Sequence, residues 1–132
     1  MSGSKVLLDT NIIIFASKQM IDVEKFVNSY DEFYVSIITY LEVYGYDFNS
    51  ENERKLIDEL FKNIEIIDLD REISEIVIQL RKNKLKKIKI PDAIILATAK
   101  FLKIPLLTDD WDDFAGIDNN ISIENIDFLK IT

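Results

Sequence analysis

Five short apolar runs alternate with segments of helical spacing, and this alternation restricts the possible folds more than any other feature. The runs are KVLLD (5–9), EFYVSI (32–37), IEIIDL (64–69), PLLTD (105–109) and ISIENI (121–126). Each is short and apolar, so each predicts a buried strand. The Asp-Thr-Asn break after the first run predicts a short helix over TNIIIFASKQ. DVEKFVNSY sets Val23, Phe26, Val27 and Tyr30 at helical spacing. Ser36 stands at an N-cap position ahead of IITYLEVYGYDF, which predicts a helix carrying Glu42. Ser50 and Glu53 form a capping box ahead of the stripe Leu56, Ile57, Leu60 and Phe61. REISEIVIQLRKNK turns Ile73, Ile76, Val77 and Leu80 inward, and Pro91 opens PDAIILATAKFLK at a first-turn position. Strands alternating with helices imply an α/β fold with a parallel sheet covered on both faces. A length of 132 residues suits one domain. The start, MSGS (1–4), is set aside as an expression-tag remnant or a flexible beginning.

Composition removes whole classes of chemistry. The chain has no cysteine and no histidine. Disulfides, zinc–thiolate sites, thiol nucleophiles and histidine general bases are therefore excluded. The three glycines, Gly3, Gly45 and Gly116, form no phosphate-cradling loop. No apolar run is long enough to span a bilayer and no signal segment is visible, so a cytoplasmic protein without membrane contact is expected. The net charge of −8 argues against a general nucleic-acid coat protein. One stretch runs against it: RKNKLKKIK holds Arg81, Lys82, Lys84, Lys86, Lys87 and Lys89 with no acid among them.

The acids fall where a parallel sheet does its work. Ligands of open parallel sheets lie beyond the carboxyl ends of the strands. Asp9 closes the first strand; Asp109 and Asp110 close the fourth. Glu42 lies one to two turns into the helix after the second strand, and Asp92 lies in the first turn of the helix entering the fourth. If the first and fourth strands are neighbours, these acids converge. Each also has a plain structural reading. Asp9 suits a helix cap, Asp92 a first-turn acid favoured by the helix dipole, and the acids at 109–113 a solvated turn. Glu42 resists that reading, because apolar neighbours on nearly every side predict a buried carboxylate. Two charges about 4 Å apart repel by roughly 4 kcal/mol at an effective dielectric near 20. Three or four converging carboxylates make an all-oxygen cage suited to Mg²⁺ or Mn²⁺.

VLLDTNI, SIITYLEVYG, IPDAIILATA and LLTDDWDDF occur in the order seen in PIN domains, and the chain most resembles the VapC-type toxins of bacterial toxin–antitoxin pairs. The resemblance covers Lys5 to about Phe114. It implies a PIN-like three-layer fold, with a central parallel sheet of about five strands flanked by helices. It also implies a metal-dependent endoribonuclease that cuts structured RNA, often transfer or ribosomal RNA, to 5′-phosphate and 3′-hydroxyl products. The implied partners are RNA, a cognate antitoxin and a second copy in a homodimer. Position by position, it makes Asp9, Glu42, Asp92 and Asp110 the metal ligands and catalytic acids, with Asp113 an alternative to Asp110. Asn11, Ser36 and Thr108 match polar residues that order the pocket. Lys86, Lys87 and Lys89 are candidate contacts to the RNA backbone, against the alternative of a solvated helix end. Tyr40, Tyr44 and Phe48 read as core or dimer surface, and Trp111 as a partner contact. Two neighbouring readings remain at this point: an inert PIN-fold module binding a basic peptide, and a housekeeping RNA-processing PIN nuclease. A phosphoacceptor receiver domain fits less well, because the first strand ends in a single Asp.

Overall fold

A computed structural model describes residues 4–83 and 86–131. Lys84 of the basic stretch and residues 1–3 of MSGS lie outside the described residues. Ser4 is hydrogen-bonded into the fold. Its carbonyl accepts from Asp31 N (2.9 Å) and Glu32 N (3.0 Å), and its own N–H donates to Asp31 Oδ2 (3.0 Å).

The strands are β1 (Lys5–Leu8), β2 (Glu32–Ser36), β3 (Ile64–Ile67), β4 (Leu106–Thr108) and β5 (Ile123–Asn125). They form one sheet in the order β3-β2-β1-β4-β5, and every pairing is parallel. The helices are α1 (Thr10–Ser17), α2 (Val23–Asn28), α3 (Ile37–Tyr44), α4 (Glu51–Phe61), α5 (Arg71–Arg81), α6 (Ile90–Leu102) and α7 (Trp111–Phe114). A 3₁₀ turn spans Ile126–Leu129.

Side chains alternate across a strand, and here the alternation divides the core into two layers. Val6, Leu8 and Leu107 pack with Ile12, Ile13, Phe26 and Ile57 of α1, α2 and α4. Leu7 and Leu106 pack on the opposite face with Ile73 and Leu80 of α5 and the inward side of α6. α6 is buried continuously from Ala93 to Thr98 and Ala99, so it acts as a central post. It stops at Lys103, which adopts φ 58° in the left-handed region, just before Pro105.

The chain winds from β1 outward to β3 and then crosses back to place β4 on the other side of β1. That reversal makes a crevice between β1 and β4 at their carboxyl ends. The register pairs Leu7 with Leu106 and Leu8 with Leu107, and Asp9 N donates to Leu107 O (3.0 Å). Asp9 is thereby brought beside the end of β4.

Three local expectations differ from the structure. α3 ends at Tyr44 with Gly45 as its C-cap, short of the expected Phe48. Only Thr39 and Val43 of α3 are buried, so Tyr40, Leu41 and Glu42 face solvent. The expected burial of Glu42 does not occur, because α3 turns Ile38, Thr39, Val43 and Tyr44 to the core and leaves Glu42 on the open side with Tyr40 and Leu41. The acidic stretch after β4 is not an open turn: it forms the single-turn helix α7, anchored by buried Phe114.

Candidate functional site

Asp9 is the centre of the crevice. It is the N-cap of α1, and its Oδ1 accepts from Thr10 N (2.8 Å). Its Oδ2 accepts from Thr108 Oγ1 (2.8 Å). The helix-cap reading of Asp9 is therefore correct, and the same carboxylate also faces the other acids. Asp9 is 5% exposed, and burial pushes its pKa up to about 7. The hydrogen bonds from Thr108 and Thr10 oppose that rise, while the charges of Asp92 and Asp109 add to it.

Thr108 and Asn11 arrange the acids that follow β4. Asp110 N donates to Thr108 Oγ1 (2.9 Å), so one buried hydroxyl ties Asp110 to Asp9. Asn11 Nδ2 donates to Asp109 Oδ1 (3.3 Å) and to Asp110 Oδ2 (3.4 Å). Asp9, Asp109 and Asp110 each present a carboxylate oxygen within 4.8 Å of the other two. The pKa of Asp110 is raised by burial and then by the charges of Asp109 and Asp113, with Asn11 acting against them.

Asp92 lies in the first turn of α6, half-buried. Burial raises its pKa first; repulsion from Asp113, Glu42 and Asp110 adds to the rise, and Lys89 opposes it. Glu42 is exposed and accepts from Thr10 Oγ1 (2.7 Å). Ser36 is 1% exposed and caps α3, its hydroxyl accepting from Ile38 N (3.2 Å). It stands at the root of the helix that carries Glu42.

Of the acids singled out from the sequence, Asp92 acts on Asp9, Glu42 and Asp110 act on Asp92, and Asp113 acts on both Asp92 and Asp110 through their charges. The tightest group differs from the expected one. It contains Asp109, which the sequence reading set at the strand end without a role, while Glu42 and Asp92 stand outside it. Adjacent acids after a strand carry no periodic signal for which one turns inward, and Asn11 draws both here. Thr10 also joins the site, through its backbone N–H to Asp9 and its hydroxyl to Glu42, and its place between Asp9 and Asn11 is the sequence signal for it.

None of the ion pairs among the described residues reaches these acids. Clustered carboxylates with raised proton affinity are a group that could hold a cation. Their donor atoms are all hard oxygens, which fits a divalent ion of the magnesium type.

The basic stretch divides by role. Lys86 is half-buried, and its Nζ donates to Ala115 O (3.0 Å), holding the end of α7. Arg81 Nε donates to Ile88 O (3.3 Å). Lys87 and Lys89 are exposed, and Lys89 lies close enough to act on Asp92. Tyr40, Tyr44 and Phe48 join Phe61 in an aromatic cluster of tilted and edge-on pairs between α3 and α4. Trp111 is 46% exposed at the start of α7.

The PIN domain family matches residues 6–120. A chain in a solved toxin–antitoxin complex from Klebsiella pneumoniae is 31% identical, with a TM-score of 0.73, covering 88% of this chain and 94% of that one. FitAcB from Neisseria gonorrhoeae is 25% identical with a TM-score of 0.71, over 91% of this chain and 96% of that one. VapBC2 from Rickettsia felis, solved bound to a DNA fragment from its promoter, is 24% identical. It shares the fold at a TM-score of 0.77 over 92% of this chain and 98% of that one. No curated protein sequence matches.

Proposed function

The chain belongs to the PIN-domain family, and on that premise we propose that it is the nuclease toxin of a toxin–antitoxin pair, hydrolysing phosphodiester bonds in structured RNA with Mg²⁺ or Mn²⁺. The observation that carries this reading is the group of carboxylates at the β1–β4 crevice, with three of them within 4.8 Å of one another.

Asp9, Asp109 and Asp110 would hold the ion, and Asp92 and Glu42 would complete its surroundings directly or through water. Asp113 has the same access to Asp92 and Asp110. A divalent ion bound there supplies Lewis acidity, lowering the pKa of water and offsetting charge on a phosphate. The chain's own residues do the rest. Thr108 and Thr10 keep both oxygens of Asp9 turned to fixed directions. Asn11 holds Asp109 and Asp110 apart from free rotation. Burial of Asp9 at the sheet end limits the screening of its own charge by bulk water. Lys87 and Lys89 would grip the RNA backbone beside Asp92, and transfer or ribosomal RNA is the substrate class proposed.

A cognate antitoxin is the partner this reading requires, and the Klebsiella pneumoniae neighbour named above is a chain of a toxin–antitoxin complex. A groove of about 980 Å³ between α1, α2 and α4, lined by Phe26, Val27, Leu56 and Leu60 with Asp22 and Glu59 at hand, suits a partly apolar, basic segment. A basic side chain of that partner reaching Asp9 and Asp92 would compete with the ion. A homodimer belongs to the same proposal; Leu69, Ile78 and Ile90 leave an exposed apolar face on the opposite side, along α5 and α6. The described residues include no helix long and apolar enough to cross a membrane, and a cytoplasmic location is part of the proposal.

The test is cleavage of total RNA by purified protein with Mn²⁺, with and without chelator. Asp92→Asn is expected to abolish cleavage while leaving the circular dichroism spectrum intact. Chelator-insensitive cleavage, or full activity in folded Asp92→Asn, would remove the nuclease reading.

A further inference from the structure

Glu42 poses a problem that its surroundings resolve. It is a solvent-exposed side chain on a helix whose buried residues are Thr39 and Val43. An exposed glutamate has many rotamers. Its one hydrogen-bond donor among the described contacts is Thr10 Oγ1, at 2.7 Å.

The same hydroxyl oxygen lies 3.1 Å from Thr39 Oγ1. A hydroxyl has one proton and two lone pairs. Thr10 spends its proton on the Glu42 carboxylate, which can only accept. The proton between the two threonines therefore belongs to Thr39. Thr39 is fully buried, so water does not compete for its hydroxyl. The direction of the chain is fixed: Thr39 donates to Thr10, and Thr10 donates to Glu42. Thr10 also holds the other side of the site, because its backbone N–H donates to Asp9 Oδ1 (2.8 Å).

We infer that Thr10 and Thr39 are positioning residues. Together they form a one-way hydroxyl relay that locks exposed Glu42 in the same frame as buried Asp9. The inference rests on the metal-site reading given above and adds to it two residues that carry no charge. Its physical basis is the outer shell of a cation site: partners that orient a ligand without touching the ion commonly change affinity 10- to 100-fold when removed. Because the bond to Asp9 comes from the backbone, Thr10→Val deletes the link to Glu42 and spares the link to Asp9. Valine matches threonine in shape and branching, so the helix start is preserved.

The experiment is a Mn²⁺ titration followed by electron paramagnetic resonance on the parent, Thr10→Val, Thr10→Ser, Thr39→Val, Glu42→Ala and Thr10→Val/Glu42→Ala. Thr10→Val is expected to weaken Mn²⁺ binding by about 10- to 100-fold. Thr10→Ser, which keeps the hydroxyl, should restore most of it. Thr39→Val should shift affinity in the same direction by less, since it frees the relay without removing its last donor. On the Glu42→Ala background, Thr10→Val should have no further effect, because the group it positions is gone. Parental affinity in Thr10→Val, failure of serine to restore binding, or additive losses in the double variant would each overturn the relay. RNA cleavage by the parent is scored separately. A parent that binds Mn²⁺ without cutting RNA removes the nuclease proposal and leaves the relay standing.

Discussion

Replacing Asp9 with asparagine should stabilise the metal-free protein at alkaline pH while destroying its cation site. Asp9 is 5% exposed, and burial, opposed by Thr108 and Thr10 and reinforced by Asp92 and Asp109, raises its pKa from 3.8 to about 7. A carboxyl displaced that far corresponds to about 4 kcal/mol between its two protonation states. The sign follows from proton counts. Between pH 4 and 7 the folded state keeps a proton that the unfolded chain has released, so stability falls as pH rises through that window. The contribution is fully present below about pH 4 and gone above about pH 7. Asparagine does not titrate, so its contribution is flat. It also has one acceptor oxygen where Asp9 uses two, at a cost of about 1.5–3 kcal/mol for a hydrogen bond to a charged group. Above pH 7 asparagine is thus favoured by roughly 1–2 kcal/mol, and the gap should move by about 3 kcal/mol between pH 5 and pH 8. Urea denaturation of both proteins in chelator at those two pH values measures it. Added Mn²⁺ should reverse the order, because a ligand at a hundred times its Kd stabilises by about 2.7 kcal/mol and Asp9→Asn lacks the site. A stability difference independent of pH, or one growing in the opposite direction, would refute the idea that Asp9 is a desolvated carboxylate held for a cation.

The lysines should separate by function. Lys86→Ala removes the bond to Ala115 O and should cost about 1–2 kcal/mol in denaturant melts, with RNA affinity following stability. Lys87→Ala with Lys89→Ala should leave stability within about 0.5 kcal/mol. That pair should also reduce the slope of log affinity for RNA against log salt by about 0.7 per lost phosphate contact, read by filter binding. An unchanged slope would return these residues to a solvated helix end. Gly116 adopts φ +82° with open space where a Cβ would stand, so Gly116→Ala should cost about 1 kcal/mol through backbone conformation alone. An unfolding midpoint equal to the parent's would show that the turn relaxes.

Much of the fold was legible because local patterns report local states. All five expected strands occur, within two or three residues of their predicted ends, as do the helices after β1, β2 and β3. Ser36, Ser50 and Asp9 cap the helices they precede, because an N-cap is a contact between residues one to three apart. Glu42 shows where local reading fails. Apolar neighbours predicted burial, but burial of a helix depends on what packs against it, and α3 turns Ile38, Thr39, Val43 and Tyr44 to the core while Glu42 stays outside. Lys86 shows the same limit from the other side: a charge-run lysine is recruited by a carbonyl 29 residues away.

Sequence by itself determined the strand–helix alternation, the absence of histidine and cysteine chemistry, and the acids available for a cation. These are properties of composition and short-range spacing. Tertiary structure decided that β4 lies against β1, and with it that Asp9 meets Asp109 and Asp110 rather than facing them across the molecule. It also decided that Thr10 would join Asp9 to Glu42, 32 residues beyond it. The physical reason is that strand order is chosen by the packing of whole helices on both sheet faces, a sum of long-range burial terms that no single segment encodes.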